Sequence, residues 1–325
     1  MEVNTGTATI GGLNDNAGAG GTVSVVTSSR TLALAGSGNY SFSGVLQDNG
    51  ASKLSLTKSG TGIQRLGGLN TYTGTTTVSG GVLRLDSANA LPGGIGSTGG
   101  LSALVLDGGV IGLASGDFSR NIVGLTPGAT DVGWLANGSG GFAAFGADRN
   151  VNFGGAGASV SWSASGGVFG TNLVLSDASA DAMVTIVNPI NLSTSSRNVT
   201  VNNGSAAVDA TMGGSLTNGS LAKLGAGVLA LTTSNSIGTL NISAGTVRAS
   251  HANALGTSSG TTIVQLTSGA TLELDANVVA GGGITGSGGT VTAVNASRAL
   301  TTRVTSGNSQ TFSGVLQDGG ANVLS

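Results

Sequence analysis

Two aspartates close together, in Leu175-Ser176-Asp177-Ala178-Ser179-Ala180-Asp181, form the one tight acidic set in the chain. Paired carboxylates can divide general acid and general base work at a glycosidic bond, so a polysaccharide lyase or hydrolase is the first chemistry to weigh. Such a site needs two or three acids, with Arg or Lys nearby, on one face of neighbouring strands. Asp in a Ser/Ala-rich segment more commonly caps its own turn through its side chain, and Asp107, Asp117 and Asp148 stand singly, as solvated turn residues.

The remaining reactive residue types are sparse. His251 is the only histidine, which excludes a multi-histidine metal centre and leaves a single-histidine triad open in form alone. It stands in His251-Ala252-Asn253-Ala254-Leu255 where a related stretch, Ser87-Ala88-Asn89-Ala90-Leu91, has serine, so the position reads as an interchangeable loop residue. The absence of cysteine removes disulfides, thiolate metal sites and a cysteine nucleophile. No P-loop lysine follows the Gly-x-Gly patterns, and the glycine runs lack the Asp of a calcium-binding nonapeptide. No metal or cofactor is expected.

The charge balance narrows the partners. Twelve Lys+Arg are scattered among fourteen Asp+Glu, with no basic stripe to neutralise phosphates, so neither nucleic acid nor an anionic membrane surface is expected to bind. No run of about 18 apolar residues is present to span a bilayer. Five of the seven Phe and both Trp fall between residues 118 and 169. Stacked inside a core they would be packing. Exposed, Trp134, Phe142, Phe145, Trp162 and Phe169 would make a lateral strip for sugar or protein contacts.

The elements that must carry these residues are strands. The chain has 60 Gly and 3 Pro in 325 residues, 39% hydrophobic and 8% charged, and its mean hydropathy is +0.28. That is too apolar for disorder and too rich in glycine for helices to propagate. Short Val/Leu/Thr runs such as Leu104-Val105-Leu106, Asn198-Val199-Thr200-Val201 and Thr271-Leu272-Glu273-Leu274 end at Gly, Asn or Ser every few positions.

These runs recur. Gly20-Gly21-Thr22-Val23 and Arg30-Thr31-Leu32 return, at one common offset, as Gly288-Gly289-Thr290-Val291 and Arg298-Ala299-Leu300. Ser41-Phe42-Ser43-Gly44-Val45-Leu46-Gln47-Asp48 returns as Thr311-Phe312-Ser313-Gly314-Val315-Leu316-Gln317-Asp318, so the end of the chain repeats its beginning. Lys58 and Lys223 mark a second pairing at a different spacing. Short strands, close turns and internal repeats point to an all-β solenoid in which like residues stack in columns. At roughly 20 to 25 residues per rung and about 4.8 Å between rungs, the rod would be on the order of 60 to 80 Å long. A propeller would repeat at about 40 to 50 residues, and no such period is seen.

One stretch carries a family resemblance. Leu56-Thr57-Lys58-Ser59-Gly60-Thr61-Gly62, followed by Asn70-Thr71-Tyr72-Thr73-Gly74-Thr75-Thr76-Thr77-Val78-Ser79-Gly80-Gly81-Val82-Leu83, resembles the autotransporter passenger-associated β-strand repeat. A second copy, Leu221-Ala222-Lys223-Leu224-Gly225-Ala226-Gly227 through Ser243-Ala244-Gly245-Thr246-Val247, lacks the Tyr-Thr-Gly segment and has Ser234-Asn235-Ser236-Ile237-Gly238 there. The resemblance implies a right-handed, single-stranded parallel β-helix in a bacterial surface or secreted protein, delivered by a fused outer-membrane barrel, and implies no activity of its own.

The resulting expectation is one continuous β-helix over 1–325, with modules near 1–55, 56–117, 118–215, 216–277 and 278–325. The chain is read as a piece of a longer protein, its targeting and anchoring segments lying outside. Its expected role is non-enzymatic: an extracellular, adhesin-like stalk. Two alternatives stand beside it, namely self-association end to end through open strand edges, and binding of a surface glycan or protein. A polysaccharide lyase or hydrolase on the same scaffold stands last.

Overall fold

Alternation of apolar and small polar residues makes each short run two-faced, and the glycine-rich corners bend the chain before a second strand can pair antiparallel. Leu54–Lys58 shows the pattern: Leu54, Leu56 and Lys58 are buried while Ser55 and Thr57 are half-buried on the outer side. Thr246–Ala249 and Thr271–Leu274 alternate in the same way. The computed structural model describes the whole chain except residues 16, 17, 19, 136, 137, 156, 164–167, 258, 259 and 304–308.

Strands pair in parallel with the strand one turn of the coil later, except that Phe118–Ile122 and Asp131–Trp134 pair in parallel with each other and stand in the sheet in the reverse of their chain order. Eleven strands form one sheet, from Asn39–Phe42 to Ile284–Gly286, and fifteen form another, from Thr7–Ile10 to Val315–Gln317. Shorter sheets complete the third side, among them Glu2–Val3, Thr22–Val25 and Val45–Gln47. Antiparallel pairing is confined to isolated bridges at corners, such as Asn49 with Ser52 and Ala144 with Ala182. Among the described residues there is no α-helix. The architecture is the parallel β-helix expected from the sequence. The longer, fifteen-stranded sheet has fourteen steps between strands, which at about 4.8 Å each come to roughly 65 Å, within the expected length.

The bore is filled by columns of in-register side chains. Leu32, Leu56, Thr76, Leu104 and Val132 stack on one side. Val151, Ile186, Met212, Leu231, Ala249, Leu274 and Ala293 stack on another. All are buried. Each Val, Leu or Ile so removed from water contributes roughly 1.5 to 3 kcal/mol before the cost of ordering the chain is subtracted.

Rung length is not constant, and the expectation of roughly 20 to 25 residues per rung is corrected at both extremes. Leu231 pairs with Ala249 and Ile63 with Val82, steps that fall short of that range. Phe118 pairs with Val151 and Val151 with Ile186, steps that far exceed it. The long rungs coincide with the aromatic-rich stretch, because large rings need a wider perimeter around them.

The long rungs also turn the repeat. In the first copy the lysine strand, Leu54–Lys58, lies in the fifteen-stranded sheet and the following strand, Ile63–Leu66, in the eleven-stranded one. In the second copy the lysine strand, Ser220–Leu224, lies in the eleven-stranded sheet and Val228–Leu231 in the fifteen-stranded one. The intervening chain is not a whole number of turns long, so equivalent residues of the two copies face different sides of the rod.

Candidate functional site

The carboxylates nominated by the sequence do not converge. Asp177 accepts hydrogen bonds from the backbone N–H (2.9 Å) and hydroxyl (2.5 Å) of Ser179, while Asp181 accepts from the N–H of Gly146 at 2.6 Å, across the corner. Asp117 accepts from the backbone N–H of Asn150, and Asp148 from that of Met183. His251 accepts from the N–H of Asn253 through Nδ1, which fixes its own turn. Each of these groups caps a corner. Among the described residues no cluster of three or more His, Asp or Glu is arranged to hold a metal ion.

Trp134, Phe142, Phe145, Trp162 and Phe169 are all buried, at 1% exposure or less, so these rings form no lateral contact strip. Four of the five lie in the bore with Phe118 and Phe153. Trp134 sits edge-on to Phe142, Phe153 and Phe169, with ring centroids 6.3, 6.2 and 5.2 Å away. Trp162 meets Phe169 at 5.0 Å. Both indole N–H groups donate to backbone carbonyls, Trp134 to Gly140 and Trp162 to Gly170, each at 3.1 Å. Edge-to-face contacts of this kind add about 0.5 to 1.5 kcal/mol each beyond area burial. Phe145 differs. It lies on the outer side of the eleven-stranded sheet in a small cluster with Val82, Val110, Ala143 and Ala180, and the Arg84 guanidinium stacks 4.5 Å from its centroid.

What the fold does bring together is a set of buried polar groups at the rung corners. Lys58 is 2% exposed, and its Nζ donates to the carbonyls of Gly60, in the turn just after it, and of Gly80 (3.2 Å), one rung on. Lys223 is fully buried and donates to Leu224 (3.0 Å) and Gly225 (2.7 Å) on its own rung and to Ala244 (3.0 Å) on the next. The lysine carbonyls accept in return, Lys58 from the N–H of Ser79 at 2.8 Å and Lys223 from that of Ser243 at 2.9 Å.

The glycines of the motif follow from this closeness. Gly81 and Gly245 are in the left-handed region, at φ 57° and 62°. A Cβ on Gly81 would lie 2.3 Å from the Gly62 oxygen and 2.8 Å from the Lys58 Nζ, and one on Gly245 would lie 2.5 Å from the Gly225 oxygen.

Among the described residues no carboxylate lies within ion-pair distance of either lysine. Burial pushes both amines down to about 8, Asp209 opposing the change at Lys223.

A second staple accompanies each lysine. Asn70 accepts from the N–H of Leu46 on the preceding rung (2.8 Å) and donates to the carbonyl of Ala90 on the following one (2.7 Å). Asn235 repeats this with Leu216 and Ala254, both at 2.8 Å. The copies differ beside it. Tyr72 bonds Thr76 (2.6 Å), which bonds Ser102 (2.8 Å), in a buried hydroxyl chain, and burial raises the Tyr72 phenol above its ordinary range. The second copy has the apolar, buried Ile237 and Leu240 there. Next to the hydroxyl chain, fully buried Arg120 donates to the carbonyls of Ser102 (2.7 Å) and Ala129 (3.3 Å) and to those of Pro92 and Gly94, pinning two corner loops. Burial pushes it down to about 10.

Lys58 is separated from Lys223 by the same interval that separates Asn70 from Asn235, and this shared offset is the sequence signal for the staples. Arg120 gave none, since it has no repeated partner.

The chemistry these buried groups supply is hydrogen bonding that locks rung to rung. The passenger-associated-transport-repeat family matches the chain at residues 56–85 and 221–249, the two stretches that contain these lysine and asparagine staples. No curated protein and no solved structure matches the chain.

Proposed function

From a chain that carries two passenger-associated-transport-repeats, we propose that it forms a non-enzymatic stalk in the passenger of an exported bacterial surface protein of adhesin-like type. The observation that supports this most is the continuity of the stack. Parallel pairing runs from Glu2 to Gln317 around a single apolar bore, while the nominated acids cap corners. Such a rod holds whatever is attached to it at a fixed distance. No helix among the described residues is long and apolar enough to cross a membrane.

The test is small-angle scattering with electron microscopy on the purified chain, alongside assays of polysaccharide cleavage. Stiff rods roughly 60 to 70 Å long without cleavage activity are expected. A compact particle, or release of sugar fragments, would overturn the reading.

A further inference from the structure

The chain contains three lysines, Lys53, Lys58 and Lys223, and two of them occupy the same buried position in the two repeats. The two positions lie on different sheets and have different neighbours, so what they share belongs to the repeat itself. They share a geometry: an Nζ held by carbonyl oxygens of the turn that follows it and of the turn one rung later. They also share the absence of an anion within ion-pair distance among the described residues. Convergent neutral acceptors select a group by its number of N–H donors, and a primary ammonium carries three on one small centre. A thioether or alkyl chain of equal length would fill the space but leave buried carbonyls without donors, which costs more than the bonds themselves contribute.

We propose that each passenger repeat is built around a receptor for a primary ammonium group, made of turn carbonyls from two successive rungs, with Lys58 or Lys223 as the resident ligand. The closing of the later turn, residues 79–81 or 243–245, depends on that ligand. The glycine in each later turn, Gly81 or Gly245, lets the backbone approach closely enough for the receptor to close. The repeat is then a joint that couples one rung to the next, whatever the rod does outside the cell.

The experiment removes the ligand and returns it in trans. Lys58→Ala and Lys223→Ala are made separately in the whole chain, and hydrogen exchange is followed at Ser79 and Gly80, or at Ser243, at neutral pH. Exchange at the affected turn is expected to quicken tenfold or more. Adding n-propylammonium chloride should slow it again, while equal concentrations of n-propanol or tetramethylammonium chloride should not. Unchanged exchange in the variants, or equal rescue by n-propanol, would overturn the proposal and leave the lysines as space fillers.

Should the alanine variants not fold, lysine-labelled wild-type protein answers the same question by NMR. Slowly exchanging Nζ protons are expected for two of the three lysines, with Lys53 exchanging fast. Three equally fast signals would sink the idea.

Discussion

The repeat rungs and the aromatic rungs solve one problem, holding a turn of the coil against the next, by different means. Around residues 56–85 and 221–249 the rungs are short, and Lys58, Asn70, Lys223 and Asn235 bridge corners through directed hydrogen bonds. Between Phe118 and Phe169 the rungs are far longer, and a connected set of six rings fills the bore. A narrow rung leaves little volume to fill and many corner carbonyls close to its axis, so donors are what it needs. A wide rung needs bulk. The contrast teaches that the repeat motif records corner chemistry, whereas the section between the copies records volume.

The largest effect is expected where volume is removed from the wide section. Trp134→Ala deletes a ring that touches three others and one N–H bond, and should cost about 3 to 5 kcal/mol in denaturant unfolding. A loss below about 1 kcal/mol would mean that the rings are not packed as a unit.

The next effect belongs to the narrow rungs and comes from pH. The unfolded chain keeps its lysine protons to about 10.5, whereas burial makes the folded chain release those of Lys58 and Lys223 near 8. Between these values the unfolded state binds more protons, so stability rises with pH, by up to about 3 kcal/mol per lysine. Below about pH 8 the full cost of burying the charge is present. The neutral amine retains two N–H donors and keeps its place among the carbonyls. Unfolding midpoints measured from about pH 7 to 10.5 should climb in the wild type and stay flatter in a Lys58→Met, Lys223→Met double variant.

Backbone closeness comes third. Gly81→Ala and Gly245→Ala each place a Cβ against carbonyl oxygens at positive φ and should cost roughly 1 to 3 kcal/mol. Gly6→Ala, where nothing lies within 4 Å, should stay within about 0.5 kcal/mol. The smallest effect separates the two copies themselves. Tyr72→Phe removes the phenol from the Thr76–Ser102 chain and should cost about 1 kcal/mol, and the pair Tyr72→Ile with Thr76→Leu, copying Ile237 and Leu240, should regain part of it.

The amino-acid sequence by itself determined the strand and turn grain, the stacked architecture and the pairing of its copies. These are local properties: the period of two in Leu54-Ser55-Leu56-Thr57-Lys58, and glycine where corners crowd, are written residue by residue. The turn-capping of Asp177 and the loop position of His251 were legible for the same reason.

Tertiary structure alone decided the rest. Whether Trp134 or Phe169 lies inside depends on the perimeter of a rung, which is set by pairing partners a full long rung away, as Phe118 is from Val151. That Phe145 packs outside the sheet depends on Val82 and Val110 from two earlier rungs. The rotation of the second repeat to another face follows from the summed length of all the rungs between the copies. And a lysine at an inward-pointing position can stay there because a turn formed one rung later supplies oxygens that receive it.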